Sequence, residues 1–311
     1  MYNVELKKIF LSTLQSETDK YETTFNRFEE LEERLNTDLC QMDRTWIIDN
    51  VFEKGFVEPP TLANYLACIN EYRSWCVLNA IDGAIQSKEL NVRSDIDFIP
   101  LIPQELYFSF NDMYDELRNS GYDFCVGDEA APALVLGWLG LKMSEIVALR
   151  EDQVDLETGQ IQSTDRSGSY IDINDALMLD ILRKYKSTLK TERDYNGRDA
   201  YMKTTGYFIH KIGRRNEDKS GPANRQQINR KIRDAKKAHQ DRYPLRPCRL
   251  SMQSAFRSGS LFRLRLLEMS GVDFTSKKNQ KLIQKTYGSA GGQLQYVLFY
   301  YEQYKKAFNL L

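Results

Sequence analysis

The side chains of this sequence best suited to chemistry are the cations that follow Asn224. Ile228, Ile232 and Ala235 recur there at intervals of three and four residues, which predicts a helix with a narrow apolar face. Asp234 is the only acid in the predicted helix, so its like charges repel one another unless an anion lies beside them. Phosphate groups relieve such repulsion, and we therefore expect the helix to bind a polyanion. Its cations are Arg225, Arg230, Lys231, Arg233, Lys236 and Lys237.

The net charge of the whole chain conceals how unevenly its charges are distributed. The 311 residues hold 43 Lys and Arg against 44 Asp and Glu, for a net charge of -1. Residues 1–180 hold 14 of these cations and 34 of these acids, whereas residues 181–311 hold 29 and 10. The split predicts a polyanion-binding second part and an acidic first part that is a candidate for contacts with a protein partner. Further cations expected in the basic surface are Arg214, Arg215, Arg246 and Arg249.

A second stretch with recognisable chemistry is Leu139-Gly140-Leu141-Lys142-Met143-Ser144-Glu145, a glycine turn that leads into a helix. It resembles the first arginine box of the tyrosine recombinases, or phage integrases, which reads Gly-Leu-Arg-x-Ser-Glu. The resemblance implies that double-stranded DNA is the partner and that this box holds the scissile phosphate. Lys142 stands where the family has its arginine, and it offers a point charge without the planar, bidentate geometry of a guanidinium.

The resemblance also implies positions for the other groups of the family's active site. There, a tyrosine attacks phosphorus, two arginines bind the non-bridging oxygens, and a lysine with a histidine or tryptophan manages protons. Arg166 lies where the family has its hairpin lysine, and Arg257 aligns with the second arginine, although Arg246 or Arg249 is an alternative. The two histidine positions are occupied by Ser254 and Ser289.

Tyrosines near the end of the chain are candidates for the nucleophile. Tyr301 shares an apolar stripe with Val297 and Tyr304, at spacings of three and four, and is therefore expected in the core. Tyr296 and Tyr300 lie on the opposite face and are the remaining candidates. Packing tyrosines on a terminal helix are nevertheless the favoured interpretation, because so many other parts of the family's site are substituted.

These substitutions favour a protein that holds DNA without cutting it. We expect a sequence-specific transcriptional regulator that is not an enzyme. It resembles the integrase-like lysogeny repressors of SPbeta-group temperate phages. A fold is commonly retained after catalytic groups are lost. Two alternatives stay open at this point. One is a divergent but active recombinase that uses Lys142, Arg257 and either Tyr296 or Tyr300. The other is an accessory protein that bends or bridges DNA without choosing a site.

The predicted fold class is mainly α with a small β-sheet. Residues 1–100 read as a helical bundle because apolar residues recur at helical spacing throughout, and residues 91–103 read as a linker. The resemblance to tyrosine recombinases implies that this bundle is a core-binding (SAM-like) domain. Residues 101–311 are expected to form a tyrosine-recombinase-like domain, mostly helical, with a hairpin at about 160–173. The terminal helix is also a candidate for self-association into a homo-oligomer, since family members often exchange it.

Composition excludes several other classes of protein. Five cysteines occur without a CxxC pair and only two histidines are present, so neither a metal site nor a cofactor is expected. No apolar run approaches the roughly 20 residues that a membrane-spanning helix needs. The first ten residues lack the pattern of a signal peptide. We therefore expect a cytoplasmic protein that does not contact a membrane.

Overall fold

The computed structural model describes residues 1–16, 18–122, 129–162, 170–187, 191–193, 199–203, 206–214, 222–288 and 294–310. They fall into two compact units, Met1–Leu101 with Gly291–Leu311, and Ile102–Ala290. The helices are α1 Val4–Thr13, α2 Thr18–Leu35, α3 Arg44–Asn50, α4 Pro59–Leu78, α5 Val92–Asp95, α6 Ile102–Glu105, α7 Phe110–Arg118, α8 Ala130–Trp138, α9 Met143–Ala148, α10 Ala176–Lys186, α11 Arg225–Arg242, α12 Met252–Met269, α13 Gln280–Tyr287 and α14 Leu294–Ala307. Within the described ranges, no helix is both long enough and apolar enough to cross a membrane.

The described residues of the second unit form two small antiparallel sheets. One has the order β1-β2-β3 and the other the order β4-β5-β6. The first contains the predicted hairpin, in which Ile161 faces Ile171 across the two strands. The prediction of a mainly helical chain with a small sheet is confirmed, although the second sheet was not foreseen. The strands are β1 Val154–Asp155, β2 Gln160–Gln162, β3 Tyr170–Asp172, β4 Thr191–Arg193, β5 Asp199–Lys203 and β6 Lys211–Arg214.

The first unit is built around an aromatic core. The ring of Phe10 on α1 meets the rings of Tyr21, Phe25 and Tyr72 edge-on, with centroids 5.4, 6.2 and 5.2 Å away. Such edge-to-face pairs add to the free energy gained by burying the rings. The helix α14 packs on α4 in this unit, so the terminal helix has a packing site within its own chain. The sequence-based division had instead placed residues 291–311 with the second domain.

One ion pair is completely enclosed in the first unit. The Lys7 Nζ atom lies 2.5 Å from both carboxylate oxygens of Glu32, and neither residue has measurable exposed surface. The Leu39 backbone N–H also donates to Glu32, at 3.0 Å. Burial raises the pKa of Glu32 to about 7, while the nearby ammonium group acts to lower it.

The helix α8 forms the centre of the second unit. It is buried along nearly its whole length, and α7, α9, α10, α11 and α12 pack around it. The closest approach is to α12, where a Cβ atom added to Gly259 would stand 2.0 Å from the carbonyl oxygen of Trp138. Only glycine allows the two backbones to come this near. This packing fixes where α11 and α12 lie in the unit, and with them the cations of the candidate site.

The turn between α8 and α9 shows why the sequence Leu139 to Glu145 folds as it does. Gly140 has a φ of 103°, which side chains other than glycine rarely permit. The buried guanidinium of Arg263 lies under this turn and donates to the Trp138 carbonyl oxygen. The Glu145 side chain then accepts a hydrogen bond from the Lys142 backbone N–H, at 2.7 Å, which caps the start of α9.

Candidate nucleic-acid interface

The helix α11 carries several cations whose side chains are exposed. It begins where the Asn224 side chain accepts a hydrogen bond from the Gln226 backbone N–H, at 2.8 Å. Ile228, Ile232 and Ala235 are buried on its inner side, which packs on α7, α8 and α9. The predicted helix and its apolar face are therefore present, and the helix extends three residues beyond the expected end, to Arg242.

The opposite side of α11 forms a polar face of regular spacing. We call it the basic face; its members are Gln226, Arg230, Arg233, Lys237 and Gln240, all of them exposed. Because they lie four, three, four and three residues apart, their side chains project in nearly one direction. Among the described residues, no acidic side chain forms an ion pair with the three cations. Their charge is therefore available to an external anion.

Beside the basic face, an acidic side chain partly neutralises two cations, one on α11 and one on α12. Lys236 is half-buried, and its charge acts on the carboxyl group of Glu105 at the end of α6, as does the charge of Arg257 on α12. Burial raises the pKa of Glu105 above its ordinary value, although the two cations act in the opposite direction. Glu105 thus links Lys236 and Arg257 electrostatically. Nothing in the sequence singled it out, because its position beside these cations depends on contacts across more than 130 residues.

Three cations that the sequence grouped together differ sharply in their surroundings. Lys231 is buried, with 7% of its surface exposed, because position 231 falls on the inner side of α11. Arg249 is bound inside the unit: its Nε and Nη2 atoms donate to Glu116 at 3.1 and 3.0 Å, and Nη1 donates to the Leu106 carbonyl oxygen at 2.9 Å. Arg246 is exposed and lies over the Tyr243 ring, with 5.6 Å from its guanidinium carbon to the ring centroid.

The Arg249 side chain is also stacked on Tyr107, with its guanidinium carbon 4.2 Å from the ring centroid. Its backbone N–H donates to Glu116 at 2.8 Å. Nearly every donor of this residue is therefore engaged within the protein. We assign Arg249 a structural role and leave both Arg249 and Lys231 out of the interface, although the sequence analysis placed them there.

The positions that the sequence resemblance aligns with the tyrosine-recombinase active site are divided between the two units. Lys142 is exposed at the start of α9, and Arg257 is half-buried on α12. The Ser254 hydroxyl accepts a hydrogen bond from the Ser251 hydroxyl at 2.8 Å, and Ser251 caps α12 by accepting from the Ser254 backbone N–H at 2.9 Å. Arg225 is exposed in the first turn of α11, and the backbone of Arg214 ends β6. The candidates Arg166, Arg215 and Ser289 lie outside the described residues.

The two tyrosine candidates for the nucleophile do not share an exposed face. Tyr296 is half-buried, whereas Tyr300 is completely buried on α14 within the first unit. The Tyr300 ring lies among those of Phe56 and Phe98, with centroids 6.3 and 6.0 Å away. The placement of Tyr300 opposite the apolar stripe was therefore wrong. The buried face of α14 is wider than the stripe through Tyr301, because aromatic residues cover it from two segments of the chain.

Metal chemistry finds no support in the part of the chain that is described. No group of His, Cys, Asp or Glu side chains there could hold a metal ion. The two histidines are both buried in the second unit. The His210 ring lies 3.2 Å from a Glu151 carboxylate oxygen, and His239 is buried beside Tyr243, with the ring centroids 5.1 Å apart.

Comparison with known proteins identifies the N-terminal region by sequence. A family model described as "MrpR, N-terminal core-binding domain" matches residues 1–78. The core-binding bundle predicted for this region is thereby confirmed. Among curated protein sequences, none matches the chain.

Several solved structures match the chain over nearly its whole length. A crystal structure of XerA recombinase is 14% identical, covers 98% of this chain and 97% of its own, and has a TM-score of 0.42. The Tn1549 transposon integrase in complex with circular intermediate DNA is 12% identical, covers 95% and 94%, and has a TM-score of 0.46. A lambda integrase dimer bound to a COC' core site is 13% identical, covers 94% and 92%, and has a TM-score of 0.40. Likeness at this level assigns neither a site nor an activity to this chain.

These matches nevertheless correct one prediction from the sequence. The chain was expected not to be an enzyme, and this expectation is contradicted, because the solved structures that it matches are recombinases and integrases, which are enzymes. A lysine at position 142 can still hold a phosphate as a point charge, so this substitution does not by itself exclude strand exchange.

Proposed function

We propose that this chain binds double-stranded DNA through the basic face of α11 and regulates transcription from the site it binds, in the manner of a phage lysogeny repressor. The observation that carries the proposal is the row Arg230, Arg233 and Lys237, three exposed cations on one line without an acidic partner among the described residues. Such a row matches a run of phosphates, which a duplex presents along its surface. The sequence resemblance to integrase-like repressors supports the regulatory part of the proposal.

The same face offers groups that can read bases. Gln226 and Gln240 lie at the two ends of the cationic row, and Asn229 lies beside it, all of them exposed. Amide side chains form paired hydrogen bonds with adenine in the major groove, which is about 12 Å wide and accepts an α-helix. Phosphate contacts from the cations would position the helix, and the amides would then discriminate between sequences.

Cations outside the basic face extend the proposed surface in the second unit. Arg225 and Arg246 are exposed, Lys142 is exposed at the start of α9, and Arg257 is grouped with Lys236 around Glu105. Glu105 neutralises part of this flank, so we expect the flank to contribute less affinity than the basic face. Arg166, Arg214 and Arg215 remain predictions from the sequence.

A competition measurement tests whether binding is specific. The labelled duplex is the region upstream of the gene that encodes this chain, and the competitors are the same unlabelled duplex and a shuffled duplex of equal length and composition. Specific regulators bind their sites about 10³-fold or more tightly than other DNA at physiological salt. We expect the shuffled duplex to compete at least about 100-fold less well than the unlabelled site.

Equal competition by the shuffled duplex would contradict the regulatory proposal. It would instead favour the accessory role, in which the protein bends or bridges DNA without choosing a site. Salt must be kept at a physiological concentration in both arms, because low salt strengthens the contribution of phosphates and conceals discrimination between bases.

A further inference from the structure

The chain leaves α11 through a tight turn that has an exposed leucine at its tip. The Arg246 backbone N–H donates to the Tyr243 carbonyl oxygen at 2.9 Å, which closes a β-turn over residues 243–246. Pro244 is the second residue of this turn, a position that its fixed φ favours, and Leu245 is the third. The Leu245 side chain is 96% exposed. The turn therefore presents a large apolar side chain to solvent.

The turn is held in place at both of its ends. Before it, the Tyr243 backbone N–H donates to the His239 carbonyl oxygen at 2.8 Å, and the centroids of the two rings lie 5.1 Å apart. After it, the chain returns to the core at Cys248 and Leu250, which are both buried. Pro247 restricts the backbone between the turn and the core. This short segment has little freedom to fold Leu245 back onto the unit.

Two exposed arginines lie at the base of the turn. The guanidinium carbons of Arg242 and Arg246 are 5.5 and 5.6 Å from the centroid of the Tyr243 ring. Arg242 makes one long hydrogen bond, 3.5 Å, to the Asn119 carbonyl oxygen. Within the described ranges, no acidic side chain forms an ion pair with either arginine. An apolar tip beside two such cations matches a groove of DNA, where stacked bases lie between two phosphate backbones.

The turn directly follows the helix that carries the basic face. Gln240, the last member of that face, lies three residues before Tyr243. The helix α11 has 18 residues, which corresponds to a length of about 27 Å. The major groove is about 12 Å wide. A helix inclined across it therefore carries the residues after its end to the bordering phosphate backbone and the minor groove beyond. Apolar side chains that enter a minor groove insert between base pairs and kink the duplex.

We propose that Leu245 inserts between two base pairs in the minor groove next to α11 and kinks the bound duplex, while Arg242 and Arg246 contact phosphates beside it. This inference rests on the proposed function of the basic face and adds a source of sequence specificity to it. Pyrimidine–purine steps unstack and kink most easily. Leu245 therefore favours sites that contain such a step, although its side chain forms no hydrogen bond with a base.

The bend of the bound duplex tests the role of Leu245. The upstream duplex carries a donor dye at one end and an acceptor dye at the other, and the full chain is added at physiological salt until binding saturates. The efficiency of energy transfer in the complex then gives the bend angle. We expect a bend of about 20° or more, as inserted side chains produce. Leu245→Ser should lose most of this bend, whereas Leu245→Met keeps an apolar side chain and should retain it.

Affinity, measured in the same titrations, separates this inference from the proposed function. Burying a leucine is favourable and unstacking bases is unfavourable, so Leu245→Ser should change the affinity less than about tenfold. The control Leu282→Ser removes a leucine that is 42% exposed on α13, and it should leave both the bend and the affinity unchanged.

Three results would overturn the role of Leu245 and leave the basic face unaffected. They are a duplex that is bound without bending, a bend that survives Leu245→Ser, and an equal loss of bend in Leu282→Ser or Leu245→Met. If the unmodified chain does not bind the duplex, the proposed function is contradicted and this inference with it.

Discussion

Reversing the charge of the basic face is expected to reduce the affinity for DNA about 1,000-fold or more. The variant is Arg230→Glu, Arg233→Glu and Lys237→Glu in one chain. Each charge-assisted contact with a phosphate contributes about 1.5 kcal/mol or more, so losing three corresponds to about three factors of ten. The slope of log affinity against log salt should also fall by about 2.7, since three counterion-releasing contacts are removed. Both quantities can be measured by fluorescence anisotropy of a labelled duplex across a salt series.

The control makes the same change in net charge at another place in the second unit. Lys277, Lys278 and Lys281 are exposed at the start of α13 and just before it, outside the proposed interface. Their joint substitution by glutamate should reduce affinity less than about tenfold, because only long-range repulsion is added. An equal loss from both triple variants would show that net charge, rather than the basic face, determines binding.

Removing the ammonium group of the enclosed ion pair is expected to destabilise the first unit by about 3–5 kcal/mol. The variant Lys7→Met keeps most of the side-chain volume but leaves the Glu32 carboxylate buried without its cation. The double variant with Glu32→Gln should recover most of this loss, since the amide still accepts the hydrogen bond from Leu39 and position 32 no longer carries a charge. Hydrogen exchange of the α1 and α2 amides in the native protein reports the free energy of opening of this unit.

The destabilisation caused by Lys7→Met should increase with pH. Burial already raises the pKa of Glu32 to about 7, and removing Lys7 takes away the charge that lowers it. The folded variant therefore holds a proton that the unfolded chain releases near the ordinary glutamate pKa of 4.5. Its stability should keep falling as pH rises above 7, where Glu32 of the unmodified protein has already released its proton. We expect a smaller loss at pH 5 than at pH 8, while Lys8→Met, an exposed control, should change little at either pH. A loss of the same size at both pH values would contradict this account.

Local patterns in the sequence predicted α11 and the helix after the glycine turn well. The apolar positions 228, 232 and 235 locate the buried side of α11, because helical spacing alone determines which residues share a face. The start of α9 at Met143 follows from a glycine turn and an acid placed to cap the helix. In these places the interactions that decide the structure join residues at most four positions apart.

Contacts between distant residues were beyond the reach of such patterns. The ion pair between Arg249 and Glu116 spans 133 positions, and it removes one predicted DNA contact from the surface. Tyr300 is buried because Phe56 and Phe98 lie beside it, which the spacing within α14 does not reveal. Whether a cation can contact DNA depends on whether folding places an acidic side chain beside it.

Photo-crosslinking from the basic face tests most directly whether α11 contacts DNA. The photoreactive residue p-benzoylphenylalanine replaces Gln240 in one variant and Leu282 on α13, which is 42% exposed, in another. Each variant is irradiated with the labelled upstream duplex at physiological salt, with enough protein to saturate binding. We predict an adduct from position 240 and none from position 282. Crosslinking from position 282 alone, or equally from both, would contradict the assignment of α11 as the helix that holds DNA.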